Sequence, residues 1–257
     1  MKATVQTIFD WLDSVAPFDL QEDFDNAGLQ AGSPGKPVDR VLIALDVTPE
    51  VVQEAAQMKA DLIISHHPLI FSPLKSLNEE GYVASTLCQL VRADISLISA
   101  HTNLDQSLEY SGGAAIAKLM DLHKNAKLGK YLVTGEPKSP LAATRLKELI
   151  SLRLKAPVLQ FGETGRLIHT IAIGPGAYSE GIHEALLAGA DALLTGEVRH
   201  HHAVEAASRG LILFEGGHYA TEAVMLKPLA DGLQKAMDRL KYTLQVHVSR
   251  HLPYRLE

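Results

Sequence analysis

Ala60-Asp-Leu-Ile-Ile-Ser65 recurs as Ala190-Asp-Ala-Leu-Leu-Thr195. Each is a short continuous apolar run, the pattern of a strand covered on both faces. The neighbouring runs repeat in the same order. Val41-Leu-Ile-Ala-Leu45 is answered by Ile168-His-Thr-Ile-Ala-Ile173, and Ile95-Ser-Leu-Ile-Ser-Ala100 by Leu211-Ile-Leu-Phe214. Helical patterns lie between them, over residues 49–58, 82–92 and 178–187. Thr48 is placed to cap the first, with Pro49 at a position where its missing N–H costs nothing. Strands alternating with amphipathic helices predict a largely parallel sheet, and the repeat predicts a duplicated α/β fold with units at 1–127 and 128–257. Two such units would bring equivalent strand ends to a shared cleft, and ligands gather at the carboxyl ends of strands in open α/β sheets. Residues 128–140 read as a turn-rich connector with a short strand near Tyr131, and 144–154 as a further helix.

The chain has 257 residues, 46% hydrophobic, enough for a sizeable core. Its net charge of −6 arises from 24 basic and 30 acidic residues without a block of either sign. That argues against a nucleic-acid stripe or a polybasic membrane patch. No run approaches the roughly 18 apolar residues of a membrane span. The opening Met-Lys-Ala-Thr-Val-Gln-Thr-Ile-Phe-Asp-Trp-Leu reads as an amphipathic helix, not a signal peptide. A cytoplasmic protein is expected. The single cysteine, Cys88, excludes intramolecular disulfides and thiolate-rich zinc sites and reads as a core residue.

The chemistry lies at the strand ends. His101-Thr-Asn-Leu-Asp105 and His218-Tyr-Ala-Thr-Glu222 each place an imidazole four residues before a carboxylate, directly after an apolar run. At a strand-to-helix turn such residues can face one point. His66-His67 adds adjacent imidazoles after a third run. A single His-x3-Asp pair arises by chance in a chain with 12 histidines, and a His doublet can be one buried and one exposed ring. All three follow strands, and two occupy matching places in the repeat. Nitrogen and oxygen donors of this kind suit zinc, iron(II), manganese or cobalt. Six donors exceed the needs of one catalytic zinc, so two divalent ions are expected, able to activate water and clamp a phosphoryl or carbonyl oxygen. The symmetry breaks where Ser65-His66-His67 becomes Thr195-Gly196-Glu197, so the two metal positions should be unequal.

Glu197, matching His67, is a candidate for orienting a ligand or acting as a base. In His200-His201-His202, helical phase sends the rings in different directions, and His201 is favoured for proton transfer beside a surface reading. Glu222 begins a helical pattern in which Pro228 should kink or split the helix. The segment Asp23-Phe-Asp25-Asn26-Ala-Gly28 can line the cleft or form a turn, and Asp46 can face the cleft or cap a helix. The small residues Gly112-Gly-Ala-Ala can pack within the chain or between subunits.

At these residues the chain resembles the Nif-three-like family of dinuclear-metal proteins, the GTP cyclohydrolase I type 2 homologues. The matching stretches are Asp23-Phe-Asp-Asn-Ala-Gly-Leu, Ala44-Leu-Asp-Val-Thr, Ile64-Ser-His-His-Pro, His101-Thr-Asn-Leu-Asp, Thr195-Gly-Glu and Gly216-Gly-His-Tyr-Ala-Thr-Glu. The resemblance implies that His66, His67, His101, Asp105, His218 and Glu222 bind two metal ions. It also implies two interlinked α/β units with the metals between them, and a ring-like homohexamer. The short connector matches the compact form without a central insertion. Phe24 stands where relatives often have Trp, and Glu197 where they have Asp. The resemblance implies a metal-dependent hydrolase acting on a nucleotide or related small molecule; the alternative is a non-catalytic metal-binding or regulatory assembly. Opening a guanine ring requires attack at C8, a proton donor for the leaving nitrogen, and contacts to the base. Glu197 or His201 can serve as donor, whereas no base contact is evident and no G-x-x-x-x-G-K-[ST] loop is present.

Overall fold

The computed structural model describes residues 2–254. They divide into two compact units, one formed by residues up to Ser107 with those from Leu226 onward, the other by Leu108–Met225. The first contains β1 (Ala3–Thr4), α1 (Val5–Val15), β2 (Gly28–Ala31), β3 (Pro37–Val38), β4 (Arg40–Ala44), α2 (Pro49–Gln57), β5 (Leu62–Ser65), α3 (Tyr82–Arg92), β6 (Ser96–Ser99) and α4 (Thr102–Asp105). The second contains α5 (Gly112–Leu119), β7 (His123–Leu128), β8 (Leu132–Glu136), β9 (Leu141–Ala142), α6 (Ala143–Leu154), β10 (Leu159–Phe161), β11 (Leu167–Ile168) and β12 (Ile171–Gly174). It continues with α7 (Ile182–Leu187), β13 (Ala192–Thr195), α8 (His200–Ser208), β14 (Ile212–Glu215) and α9 (His218–Ala223). The chain then returns to the first unit as α10 (Leu226–Arg239) and β15 (Gln245–Val248).

The duplication is visible in the sheets, ordered β15-β4-β5-β6-β2 in one unit and β10-β14-β13-β12-β8-β7 in the other. In each, three parallel strands carry an antiparallel strand on the outer side of the third, β2 on β6 and β10 on β14. The second unit takes in α5 and β7, which precede residue 128, together with β8, which pairs antiparallel with β12, while α10 and β15 at the C-terminal end join the first unit, where β15 pairs parallel with β4. This is why the boundary expected after residue 127 falls at 107, and why the C-terminal segment does not stay with the second unit. The supposed connector at 128–140 is largely the β7–β8 hairpin, extending the second sheet.

The central strands of each sheet are buried on both faces. In the first unit Leu42, Ala44, Ile63 and Leu97 pack against Val51, Val52 and Ala55 of α2 and Leu90 of α3. In the second, Ile171, Ile173, Leu194 and Phe214 meet Ile116 of α5 and Leu146 and Ile150 of α6. The opposite face, Ala172, Leu193 and Leu213, meets Ile182 and Ala185 of α7 and Ala206 of α8. The small stripe on α5 serves packing within its unit, since a Cβ on Gly112 would stand 2.9 Å from Pro175 and one on Gly113 3.0 Å from Val133. Thr48 caps α2 through the Val51 N–H, with Pro49 in its first turn.

The repeated aspartates explain where the strands break. Asp61 accepts the N–H groups of Asp39 and Arg40 at 2.8 and 3.0 Å, and Asp191 accepts those of His169 and Thr170 at the same distances. The apolar run from Ile168 to Ile173 therefore splits into β11 and β12 at the two residues whose donors turn to Asp191. Replacing Asp61 or Asp191 with Ala is expected to destabilise the fold by about 1–3 kcal/mol, because two backbone donors lose their acceptor. Urea unfolding checks this, and an unchanged midpoint for both variants would refute it.

Candidate metal centre

In the first unit, hydrogen bonding runs on past the end of β5 and fixes the His doublet. The His66 N–H donates to Ala44 O at 3.2 Å and the His67 N–H to Leu45 O at 2.9 Å. The Ser65 hydroxyl meets that of Ser99 at 2.8 Å and donates to His67 O at 2.9 Å, tying the ends of β5 and β6 together. His101 caps α4, its N–H donating to Asn103 Oδ1 at 2.9 Å, while buried Asn103 donates to Ala16 O at 2.7 Å.

These backbone positions gather three imidazoles. Ring centroids of His66, His67 and His101 are 5.0, 5.1 and 5.6 Å apart pairwise, and each ring offers a nitrogen within 4.8 Å of the others. Each ring is oriented through Nδ1. His66 Nδ1 donates to Ala100 O at 2.9 Å, His67 Nδ1 to Asp46 Oδ1 at 2.8 Å, and His101 Nδ1 to Asp25 Oδ1 at 2.8 Å. An acceptor at Nδ1 keeps the proton of a neutral ring there and presents the Nε2 lone pair, the arrangement typical of metal-ligating histidines. Asp105 Oδ1 lies 3.6 Å from His66 Nε2, adding an oxygen. Burial alone would raise the Asp25 pKa, but hydrogen bonds from His101 and Thr102 outweigh it and hold the carboxyl well below its ordinary range.

In the second unit His218 opens α9 at the end of β14. Its Nδ1 donates to Glu197 Oε1 at 2.7 Å, and its Nε2 lies 3.1 Å from Oε2 of buried Glu222. Glu222 sits in the last turn of the short α9, so the helix expected to begin there has already ended at Ala223. Pro228 falls in the first turn of α10, where it needs no N–H donor, and the chain is split ahead of it.

The repeat places Gly176 and Gly196 where the first unit has Asp46 and His66, by the register of β12 with β13 against that of β4 with β5. A Cβ on Gly176 would come within 2.1 Å of Glu222 Oε1, and one on Gly196 within 2.8 Å of His218 Cα. Glycine is thus required at both places: Gly176 has φ +65° and stands against Glu222, and Gly196 packs against Gly176 O, Thr221 Oγ1 and His218 Cα. The donor sets are unequal: three imidazoles and a carboxylate in one unit, one imidazole and a carboxylate in the other.

His201 is exposed on α8 with its ring 4.2 Å from that of His202, and no contact among the described residues joins it to His218 or Glu222. His202 meets the Ser179 hydroxyl at 2.8 Å, and burial followed by the nearby His201 lowers its pKa. Asp25 and Asp46, open to several readings in the sequence, are the residues that orient His101 and His67. Phe71, which carried no sequence signal, lies with its ring centroid 6.3 Å from that of His101. Imidazole nitrogens with Asp and Glu oxygens form a donor set that fits a borderline divalent ion.

The family model for Duf34/NIF3 (NGG1p interacting factor 3) matches residues 3–253. A Clostridium perfringens protein described as a GTP cyclohydrolase 1 type 2 homolog is 30% identical, over 90% of this chain and 91% of its own. The Helicobacter pylori GTP cyclohydrolase 1 type 2 of strain J99 is 32% identical, over 86% of this chain and 87% of its own. Among solved structures, a hypothetical protein from Staphylococcus aureus superposes with a TM-score of 0.95 at 28% identity, covering 100% of both chains. Reduced HcgD from Methanocaldococcus jannaschii superposes with a TM-score of 0.82 at 26% identity, covering 98% of this chain and 99% of its own.

Proposed function

The chain belongs to the Duf34/NIF3 family, and from that membership we propose that it binds two divalent metal ions through His66, His67, His101, Asp105, His218 and Glu222 and hydrolyses a nucleotide or related small molecule. The observation that carries the reading is the convergence of three imidazoles whose Nδ1 atoms are each committed to an acceptor. The nucleotide comes from the GTP cyclohydrolase description of the relatives.

Divalent ions bound there supply Lewis-acid polarisation of a phosphoryl or carbonyl oxygen. The protein's own groups set the geometry. Asp25, Asp46 and Glu197 hold the Nδ1 protons of His101, His67 and His218, which fixes ring orientation and raises ligand basicity. Glu197 is accordingly a positioning residue acting through His218.

The test is elemental analysis of protein purified without chelator or affinity histidines. The protein is then stripped, reloaded, and incubated with GTP and a panel of phosphoesters and amides, with products read by mass spectrometry. About two ions per chain and product only from loaded protein would support the reading. Two ions without turnover would move it to a metal-binding assembly. Less than one tightly held ion after repletion would refute the dinuclear centre. The same reading includes a ring-like homohexamer, which light scattering tests.

A further inference from the structure

Phe24 and Phe71 are left in solvent, 65% and 47% exposed, and lie together with ring centroids 6.4 Å apart at a 48° tilt. Phe71 also stands edge-on to the imidazole of His101, at 78° between planes. Phe71 therefore adjoins the histidine cluster, and Phe24 adjoins Phe71, within one unit. Large apolar side chains paired in water beside a polar centre mark a binding surface more often than scattered exposed residues do.

The pair is held in place by polar contacts from its own neighbours. Ile70, next to Phe71, donates its N–H to Gln30 Oε1 at 3.0 Å. Gln30 Nε2 returns a bond to Ile70 O at 3.2 Å and reaches Asn26 O at 2.8 Å, while Asn26 Nδ2 also donates to Ile70 O. Phe24 precedes Asp25, whose fully buried side chain accepts from His101 and from the Thr102 N–H. The segments carrying the two phenyls are thus tied to each other and to the residue that orients His101. A site whose side chains are already positioned loses little freedom when a ligand arrives.

The occupant follows from the neighbours. Exposed ring faces stack on planar aromatic groups, and such stacking tolerates different bases because every base has a π-face. The histidine cluster alongside calls for a ligand with oxygen or nitrogen donors. A nucleotide carries both parts. We propose that Phe24 and Phe71 are the base-recognition platform of this protein, stacking a purine ring while the polar groups of the same ligand reach the His66, His67 and His101 cluster. This inference rests on the nucleotide reading above and identifies base contacts that the sequence did not reveal.

Equilibrium dialysis of the metal-loaded protein tests it, with GTP, ATP and inorganic triphosphate, which shares the phosphates and lacks the base. The purine nucleotides should bind at least about 10-fold more tightly than triphosphate. Phe24→Ala and Phe71→Ala should each weaken GTP about 5- to 100-fold while leaving triphosphate affinity and metal content unchanged, and Phe24→Trp should retain GTP binding. GTP bound no tighter than triphosphate, or an alanine variant that weakens both equally, would overturn the platform. So would variants that lower the mass in light scattering and leave GTP affinity intact, which would make the pair a contact between copies. If the protein holds no metal, the function proposed above fails. Guanosine binding to the metal-free protein then decides the platform separately: binding lost in Phe71→Ala supports it, and no binding refutes it.

Discussion

A His66→Ala/His101→Ala double variant is expected to hold zinc or manganese at least about 100-fold more weakly than the wild type, measured by equilibrium dialysis against a competing chelator. Changing a residue that only orients a ligand commonly costs about 10–100-fold, so removing two donors should reach or exceed the top of that range. The fold should survive. Buried His66 donates to Ala100 O and His101 to the buried carboxylate of Asp25, which keeps its bonds from Thr102; losing each costs about 1–3 kcal/mol, against a domain stability of about 5–15 kcal/mol. Asp25→Asn provides the graded companion. It keeps the size of the side chain but removes the charge that fixes the Nδ1 proton of His101, and should cost about 10–100-fold. Metal affinity unchanged in the folded double variant would show that this cluster is not where metal binds.

The parts of this chain legible in the sequence are those whose physics is local or repeated. Continuous apolar runs such as Leu62–Ser65 and Ala192–Thr195 are buried along their whole length, so composition alone marks them. The duplication was readable because both units need the same strand cores and the same aspartate at the entry to β5 and β13. What stayed hidden depends on distant partners or on exposed edges. His123–Leu128 is polar and exposed for most of its length, so neither alternation nor hydrophobicity announces β7, which forms because β8 supplies its ladder. Asp25 and Asp46 looked like ordinary turn or capping residues because their partners lie 76 and 21 positions away. The return of α10 and β15 to the first unit was invisible for the same reason. Phe71 reads as one more apolar residue after a proline, and only the folded chain shows it in solvent beside His101.

Gly196→Ala is expected to cost about 3 kcal/mol in urea unfolding, at the upper end of the usual penalty for overpacking, and to weaken metal binding at the same time. An added Cβ would stand 2.6 Å from Gly176 O, 2.7 Å from Thr221 Oγ1 and 2.8 Å from His218 Cα. Two of those atoms are backbone, so no rotamer change relieves the clash. Gly176 O also accepts the N–H groups of Gly196 and Glu197 at 2.8 and 3.0 Å, which pins the strand ends that would have to part. The remaining escape is to push the start of α9 outward, carrying His218 away from Glu197 and Glu222. Gly189→Ala is the control, since φ there is +71° with nothing within 4 Å of the added carbon. That variant should pay only the left-handed backbone cost of about 1–2 kcal/mol and leave metal affinity alone. If Gly196→Ala matched the control in both measurements, the close approach of β13 to α9 would not be what positions His218. If it lost metal affinity as expected, the glycine standing where the first unit has His66 would be explained as space yielded to the helix that carries His218 and Glu222, and the unequal donor sets of the two units would follow from packing.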